Sequence, residues 1–307
     1  MQQRHHSVSK LYAAAEDKNL IQFYKEGNGQ EVLATPQELK DHFIQLRSKR
    51  VLHKQTRTIE KMTAKGTGRH LLVHVLWKEL GPYSVGDRTT KRMLQCITNT
   101  YPTQARLCQM GKASNKTCKF CNEGKAETLF HWQQMCPQFA EARQKVHNDI
   151  WAEVFPAICA HLPKEWQAFK ETPMGGRGGV FSDVDPNFNH YQPDGVFLHT
   201  KDVKYVMVDL TRGYGHTRRD LRAHEGTKRK RYANLLVSLN RDHMVEFYPL
   251  ACTFSGAIAE TTWRGLLTRL GIKDKDQDKV LRLAMKAICT GFSTMVDIRS
   301  SCLPQFR

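Results

Sequence analysis

Apolar runs long enough to cross a membrane are missing from this sequence of 307 residues. No stretch approaches the roughly 20 apolar residues that a spanning helix needs. The first residues, MQQRHHSVSKLY, lack the apolar centre of a secretory signal, and neither end carries a lipid-attachment motif. We therefore expect no membrane partner and an intracellular location.

Acidic residues are few compared with basic ones. Lys and Arg number 47 against 30 Asp and Glu, which gives a net charge of +17 and a pI near 9.6. Such a charge raises the local concentration of polyanions, so nucleic acid is the first partner to consider. The 40% hydrophobic and 25% charged residues are typical of a globular protein, and the length suits one large or two moderate domains.

A disulfide framework is not expected. The nine cysteines are an odd number and no secretory signal accompanies them, which favours a reducing compartment where thiols bind metals or fill cores. Six have no partner at ligand spacing and are expected to be small buried residues: Cys96, Cys108, Cys159, Cys252, Cys289 and Cys302.

Composition divides the sequence into three regions. Residues 1–110 have a helical pattern and many basic side chains, and residues 111–160 hold a Cys/His cluster and a following helix. Gly and Pro then crowd together, so the boundary is placed at about 160–179, and residues 161–307 alternate strands and helices. This alternation predicts an α/β or α+β core of nuclease size.

The predicted elements of the last region are strands at 196–199, 204–211 and 243–254, a basic helix at about 220–239, and closing helices around 260–270 and 279–290.

In the first region, a basic helical face is either a solvated surface or a phosphate contact. Its nine members are Lys40, Arg47, Lys49, Arg50, Lys54, Arg57, Lys61, Lys65 and Arg69.

A zinc site is predicted between residues 118 and 136. Cys118 and Cys121 form a CxxC pair, His131 follows after nine intervening residues, and Cys136 follows after four more. Zinc takes four such ligands in a tetrahedron, and a CxxC turn supplies two of them from one turn of the chain. With all four positions filled by protein, the predicted role of the zinc is structural.

A carboxylate pair is predicted from QPDGVFLHTKDVKYVMVDLT. Asp194 precedes one strand of a predicted β-hairpin, and Asp209 lies on the return strand, on the face opposite the aliphatic residues Val206, Val208 and Leu210. Antiparallel neighbours bring opposed side chains within about 4.5–5.5 Å. Two carboxylates that close repel each other unless a cation such as Mg²⁺ or Mn²⁺ lies between them, and such a site can polarise a phosphodiester. The alternative is a turn-forming Asp194 and an ion-paired Asp209.

A positive side chain is normally needed beside such a pair. The segment GTKRKRY offers Lys228, and Tyr232 lies four residues on, on the same helix face. A tetrabasic run is also typical of a nuclear-import signal or a solvated face, but the upstream carboxylates favour Lys228 in the site. Candidate contacts to nucleic acid are Arg218, Arg219, Arg222, Lys230 and Arg231.

The order of these motifs resembles the C-terminal part of site-specific non-LTR retrotransposon polyproteins that carry a restriction-like endonuclease. The CxxC…H…C cluster is followed by PD, by an acid after fourteen intervening residues, and by K-x-x-R-Y at residues 228–232. The segments ETLFHWQQMCP and EFYPLACTFSGAI are also similar, and the resemblance covers roughly residues 101–295. It implies a PD-(D/E)xK nuclease fold that nicks target DNA, so that the freed 3′ hydroxyl primes reverse transcription.

The resemblance also implies roles for particular residues. Asp194 and Asp209 would bind Mg²⁺ or Mn²⁺, Lys228 would be the catalytic lysine, and Arg231 and Tyr232 would support it. In the wider superfamily a lysine stands two residues after the second acid, where this chain has Thr211, whereas the retrotransposon branch is similar to this chain in placing its lysine on the next helix. That branch more often has lysine at the position of Arg231. Third metal-site acids are unranked candidates: Glu171, Asp183 and Asp185.

The paired aspartates of a reverse transcriptase are missing, since no Asp-Asp step occurs in the sequence. The chain is therefore either the tail of a longer reverse-transcriptase polyprotein or a free-standing relative, with DNA and element RNA as expected partners and the nucleus as the expected location.

Three functions fit these residues. The first is an Mg²⁺-dependent DNA endonuclease, and the intact trio of Asp194, Asp209 and Lys228 favours it. The second is a nucleic-acid-binding module that keeps the fold without cutting, because fold does not guarantee activity. The third is a structure-selective nuclease such as a junction resolvase.

Overall fold

The structure is a computed structural model that describes residues 87–302, apart from 98, 177, 182–185 and 216. The described residues belong to one compact unit. The helices predicted before residue 87, the basic face at 40–69 and two candidate third acids, Asp183 and Asp185, lie outside the described residues.

Six α-helices and four β-strands make up the described part of the chain. In chain order they are α1 (Asp87–Ile97), α2 (Gln104–Gln109), a π-helix (His131–Met135), a 3-10 turn (Pro137–Phe139), α3 (Ala140–Cys159), β1 (Trp166–Lys170), a 3-10 turn (Pro186–Phe188), β2 (Gly195–His199), β3 (Lys204–Gly213), α4 (Arg218–Leu239), β4 (Met244–Thr253), α5 (Glu260–Arg269) and α6 (Asp274–Cys302).

The four strands form one mixed sheet in the order β1-β2-β3-β4. β1 pairs with β2 and β2 with β3 in antiparallel fashion, and a short turn at 200–203 closes the second pair. β3 and β4 are parallel, and α4 provides the long crossover that parallel neighbours require. The predicted mixed α and β class is therefore confirmed.

Strand β3 is buried on both faces because helices cover both sides of the sheet. Val206, Val208 and Leu210 lie in the core shared with α3 and α6, whereas Met207 lies in the core under α4. This division follows the two-residue alternation of a strand. It places Asp209 on the α4 side, where Lys228 reaches it.

The hairpin, the basic helix, the fourth strand and α5 are confirmed within a few residues of the predicted positions. α6 is longer than predicted, because its apolar face continues to Met295 and Val296. β1 is a strand that the sequence did not predict; its five residues alternate weakly and are held as a strand by pairing with β2. The expectation of burial was wrong for Cys302, which is exposed at the end of α6.

One hydrophobic core runs from the cysteine cluster to the sheet. Trp132 packs against Phe139 and against Phe292 of α6, and the same core includes Ile150 of α3 and Val208 of β3. This core crosses the predicted boundary after residue 160. The division into three domains stays a prediction. Among the described helices, none combines the length and the apolar character needed to cross a bilayer.

Candidate functional site

The four predicted zinc ligands lie together. The ligand atoms of Cys118, Cys121, His131 and Cys136 all fall within 4.8 Å of one another. The Cys118 and Cys136 sulfurs are 4.0 Å apart, and the Cys121 sulfur lies 3.3 Å from His131 Nε2. In a tetrahedron with zinc–sulfur bonds of about 2.3 Å, two sulfurs lie about 3.8 Å apart. The cluster therefore fits a tetrahedral metal ion such as zinc.

Two local structures bring these ligands together. Around the first pair, the backbone N–H of Cys118 donates to the Lys125 carbonyl over 2.8 Å, and Gly124 closes the turn with a φ of 66° that favours glycine. The second pair brackets the π-helix, because the Cys136 N–H donates to the His131 carbonyl, five residues back, over 2.6 Å. That wide turn places His131 and Cys136 beside Cys121 and Cys118.

Burial and hydrogen bonds have opposing effects on the pKa values of the thiols in the cluster. Burial raises the pKa of Cys136 to about 12, although the Gln138 N–H favours its thiolate. Burial also raises the pKa of Cys118, whose sulfur accepts from the N–H groups of Phe120 and Cys121. A metal cation would supply the charge that these buried sulfurs lack, since it binds thiolates.

A buried ion pair fixes the cluster to the C-terminal helix. The Arg299 Nε of α6 donates to Glu127 Oε1 over 2.7 Å, and both side chains are buried. The Arg299 guanidinium also lies 5.5–5.7 Å from the ring centres of Tyr101, Phe120 and Trp132. The cluster is thus part of the main fold.

The sheet register brings the two predicted carboxylates together. Gly195 of β2 lies opposite Val208 of β3, so the next positions outward are Asp194 and Asp209. The two carboxyl groups are close enough to interact directly. Asp209 is only 3% exposed, so its charge depends on its protein partners. The hairpin therefore converges as its sequence predicts.

Asp194 is held from several directions. Its Oδ1 lies 3.1 Å from His147 Nε2, and its Oδ2 accepts from the Leu210 N–H over 2.5 Å. The Trp151 indole donates to the Asp194 carbonyl over 2.7 Å. Burial alone would raise the pKa of Asp194, but the contacts with His147 and Leu210 outweigh burial and lower that pKa. Asp194 is therefore the carboxyl that favours its ionised form.

Asp209 is held from α4. Its Oδ1 accepts from Lys228 Nζ over 2.8 Å, and the buried Tyr232 hydroxyl also donates to this carboxylate. Burial raises the pKa of Asp209, and the charge of Asp194 raises it further, against the opposing effect of Lys228. A cation bound between the two carboxylates would relieve this unfavourable charge.

The pair opens into a cavity of about 490 Å³. Residues of α3, of the end of β3 and of α4 line it, together with Gln134 and Gln192. Asp194 and Asp209 are the only acids among the described residues that line it, and the cations lining it are Arg143, Arg212, Lys228 and Arg231. Carboxylate oxygens carry further lone pairs beyond those already bonded, so the residues present fit an Mg²⁺ or Mn²⁺ ion that keeps several waters.

The other predicted residues occupy the surface near this cavity. The five candidate contacts to nucleic acid are all exposed on α4: Arg218, Arg219, Arg222, Lys230 and Arg231. Arg231 also lies 5.7 Å from the centre of the Tyr232 ring. The Glu171 N–H donates to the Asp194 carbonyl over 3.0 Å, but the Glu171 side chain is exposed and does not line the cavity.

Sequence reasoning missed the wall contributed by α3. Arg143, Gln144 and His147 lie on one helix face at spacings of three and four residues, and they face the carboxylates. It also missed Arg212, three residues beyond Asp209 on β3. A scan of α3 for polar residues on its otherwise apolar side would have found His147, but nothing in the sequence shows that this side faces Asp194.

No family model matches this sequence, and no curated protein matches it.

Proposed function

We propose that this chain is a divalent-metal-dependent DNA endonuclease, in which a PD-(D/E)xK-like core hydrolyses a phosphodiester. The observation that carries the proposal is the position of the Lys228 amine, 2.8 Å from Asp209, in a cavity that Asp194 and several cations also line. A pair of carboxylates with a neighbouring amine is the arrangement that phosphodiester hydrolysis needs.

Each residue has a distinct part in this proposal. Asp194 and Asp209 hold the Mg²⁺ or Mn²⁺ ion, which polarises the phosphodiester when bound. Lys228 stabilises the negative charge that builds on the phosphate in the transition state. Tyr232 donates to Asp209 and fixes its orientation, and His147 does the same for Asp194.

The Cys/His cluster is proposed to hold zinc with a structural role. Three thiolates and one imidazole suit zinc, and the protein fills all four positions of the tetrahedron. We also propose the setting that the family resemblance implies: a nuclear enzyme, within or derived from a reverse-transcriptase polyprotein, that nicks target DNA and meets element RNA.

A plasmid-nicking assay tests the catalytic proposal. We expect the purified full chain to nick supercoiled plasmid with Mg²⁺ or Mn²⁺ but not with EDTA. Asp194→Asn and Asp209→Asn should each reduce nicking by at least about a hundredfold, because each removes a metal-binding charge. DNA affinity should stay equal or rise, because a charge that repels phosphate is gone.

The matched control is Asp202→Asn, which removes an acid at the opposite end of the same hairpin, where Asp202 pairs with Lys204. This variant should nick like the parent. Equal nicking by the Asp194 and Asp209 variants and the parent would refute the assignment.

A second candidate, a nucleic-acid-binding module without activity, is favoured by one observation. Both carboxylates already have protein partners, His147 for Asp194 and Lys228 for Asp209. This candidate predicts DNA binding without nicking under every metal tested. A structure-selective nuclease predicts, in the same assay, cutting of branched DNA in preference to linear duplex.

A further inference from the structure

Two arginines beside the carboxylates have no acidic partner. Arg212 on β3 and Arg143 on α3 both line the cavity. Among the described residues, neither pairs with a carboxylate. By contrast, the buried Arg92 pairs with Asp297 over 2.7 Å. Arg299 pairs with Glu127 in the same way. Both side chains are half-buried, and a guanidinium group that is partly shielded from water favours an anionic partner.

Hydrogen-bond donors at the same place also lack acceptors. Arg212 Nε and Gln134 Nε2 are buried and have no protein acceptor. A buried donor left without a partner costs about 1–3 kcal/mol. Burial lowers the pKa of Arg212 to about 10. An oxyanion has only acceptors to offer, and its charge would offset those of the two guanidinium groups.

The metal cluster holds these groups in place. Arg212 Nη2 donates to Gln133 Oε1 over 2.5 Å. Gln133 and Gln134 both belong to the π-helix, which begins at His131 and is followed by Cys136, two residues of the cluster. Arg143 Nη1 donates to the carbonyl of Cys136, itself a ligand, over 2.7 Å. Both arginines are therefore positioned by the segment that a bound metal would fix.

We infer that Arg143 and Arg212 form a subsite for a backbone phosphate of the nucleic-acid strand, and that metal in the Cys/His cluster assembles this subsite. The inference rests on the proposed function for the identity of the anion, since the subsite adjoins the carboxylate pair. Its chemistry is distinct from catalysis: the subsite binds a phosphate next to the one that is cut. The cluster is then both a structural element and a positioning device for DNA.

DNA binding, measured by fluorescence anisotropy with a labelled duplex, tests this inference. The full chain carries Asp209→Asn throughout, so that cutting does not interfere. Arg212→Met should weaken binding roughly threefold to tenfold and lower the slope of log affinity against log salt by about one, as the loss of one phosphate contact requires. Arg282→Met on α6 is the control, because Arg282 does not line the cavity, and it should bind like the parent.

A separate variant tests whether the Cys/His cluster positions Arg212, because removing a metal ligand risks unfolding the protein. Gln133→Met leaves the ligands intact but removes the oxygen that orients Arg212. It should weaken binding while each chain still contains one zinc, and the double variant with Arg212→Met should bind no more weakly than Arg212→Met alone.

The outcomes separate the two proposals. If Arg212→Met has the same affinity and salt slope as the parent, the subsite is refuted, whatever the nicking assay shows. If Gln133→Met and Arg212→Met act additively, the link to the cluster is refuted. A chain that never nicks DNA but shows the expected losses of binding would refute the nuclease and keep the subsite.

Discussion

The contact between His147 and Asp194 joins a helix to the carboxylate pair across 46 intervening residues. His147 is 20% exposed in its side chain and has the carboxylate as its partner. Residues that orient metal ligands typically affect metal affinity by about 10–100-fold when changed. His147 is therefore the residue whose loss tests the site most directly without removing a ligand.

We predict that His147→Gln weakens Mn²⁺ binding to the full chain by about tenfold, because Asp194 loses the partner that fixes its orientation. Isothermal titration calorimetry measures this affinity. Lys145→Gln is the control, since Lys145 pairs with Asp149 on the exposed side of the same helix. An unchanged Mn²⁺ affinity in His147→Gln would show that His147 does not position the site.

At the scale of elements, the packing of α3 on α6 depends on a close approach at Gly291. A Cβ added there would lie 2.5 Å from Val146 Cγ1, closer than side chains pack. This contact holds α3, and with it His147 and Arg143, at a fixed distance from the core. Gly291 is needed because the packing of α3 on α6 leaves no space for a side chain at this position.

We predict that Gly291→Ala lowers the free energy of unfolding by about 1–2 kcal/mol. The better helix propensity of alanine contributes up to about 1 kcal/mol, but overpacking costs about 1–3 kcal/mol and decides the sign. Urea unfolding measures the difference. The matched control is Gly226→Ala in α4, where an added Cβ meets nothing within 4 Å, and this change should stabilise the protein. Stabilisation by both changes would contradict the packing argument.

An element could be predicted from the sequence when the residues that stabilise it lie within that element. β3 alternates its faces within its own sequence, and α4 carries its own start signal, in which Thr217 accepts from the Asp220 N–H and Asp220 accepts in return. Both were predicted. β1 alternates only weakly between buried and exposed residues, and it is a strand because it pairs with β2. The sequence of β1 alone does not show that pairing.

The same reasoning applies to the candidate site. Asp194, Asp209 and Lys228 follow from local patterns, because a hairpin and the next helix bring them together. His147 and Arg212 reach the cavity through packing between distant segments. Spacing along the chain carries no information about that packing, so these residues were found only in the structure.

At the scale of the whole molecule, one ion pair joins the cysteine cluster to the last helix. Glu127 and Arg299 are both almost fully buried and lie 172 residues apart in the chain. Loss of one partner leaves an unpaired buried charge, which costs about 3–5 kcal/mol. The fold of the cluster and the fold of the core should therefore be lost together.

We predict that Glu127→Gln and Arg299→Met each lower the free energy of unfolding by about 3 kcal/mol or more. The double variant should lose clearly less than the sum of the two, because neither charge is then left alone. Urea denaturation of all four proteins gives the coupling energy. Additive losses would show that the pair does not act as a unit, and that Arg299 stabilises through its aromatic neighbours instead.

The turn at 200–203 lies at the far end of the hairpin from Asp194 and Asp209. Residues added to that turn leave every pair of the ladder unchanged, and doubling the length of a flexible loop costs only about 0.6 kcal/mol. Evolution is thus free to vary the number of residues between the two acids while their meeting point stays fixed. Distant relatives should accordingly be sought by the order of the two acids and the strand pattern between them, with the gap length left open.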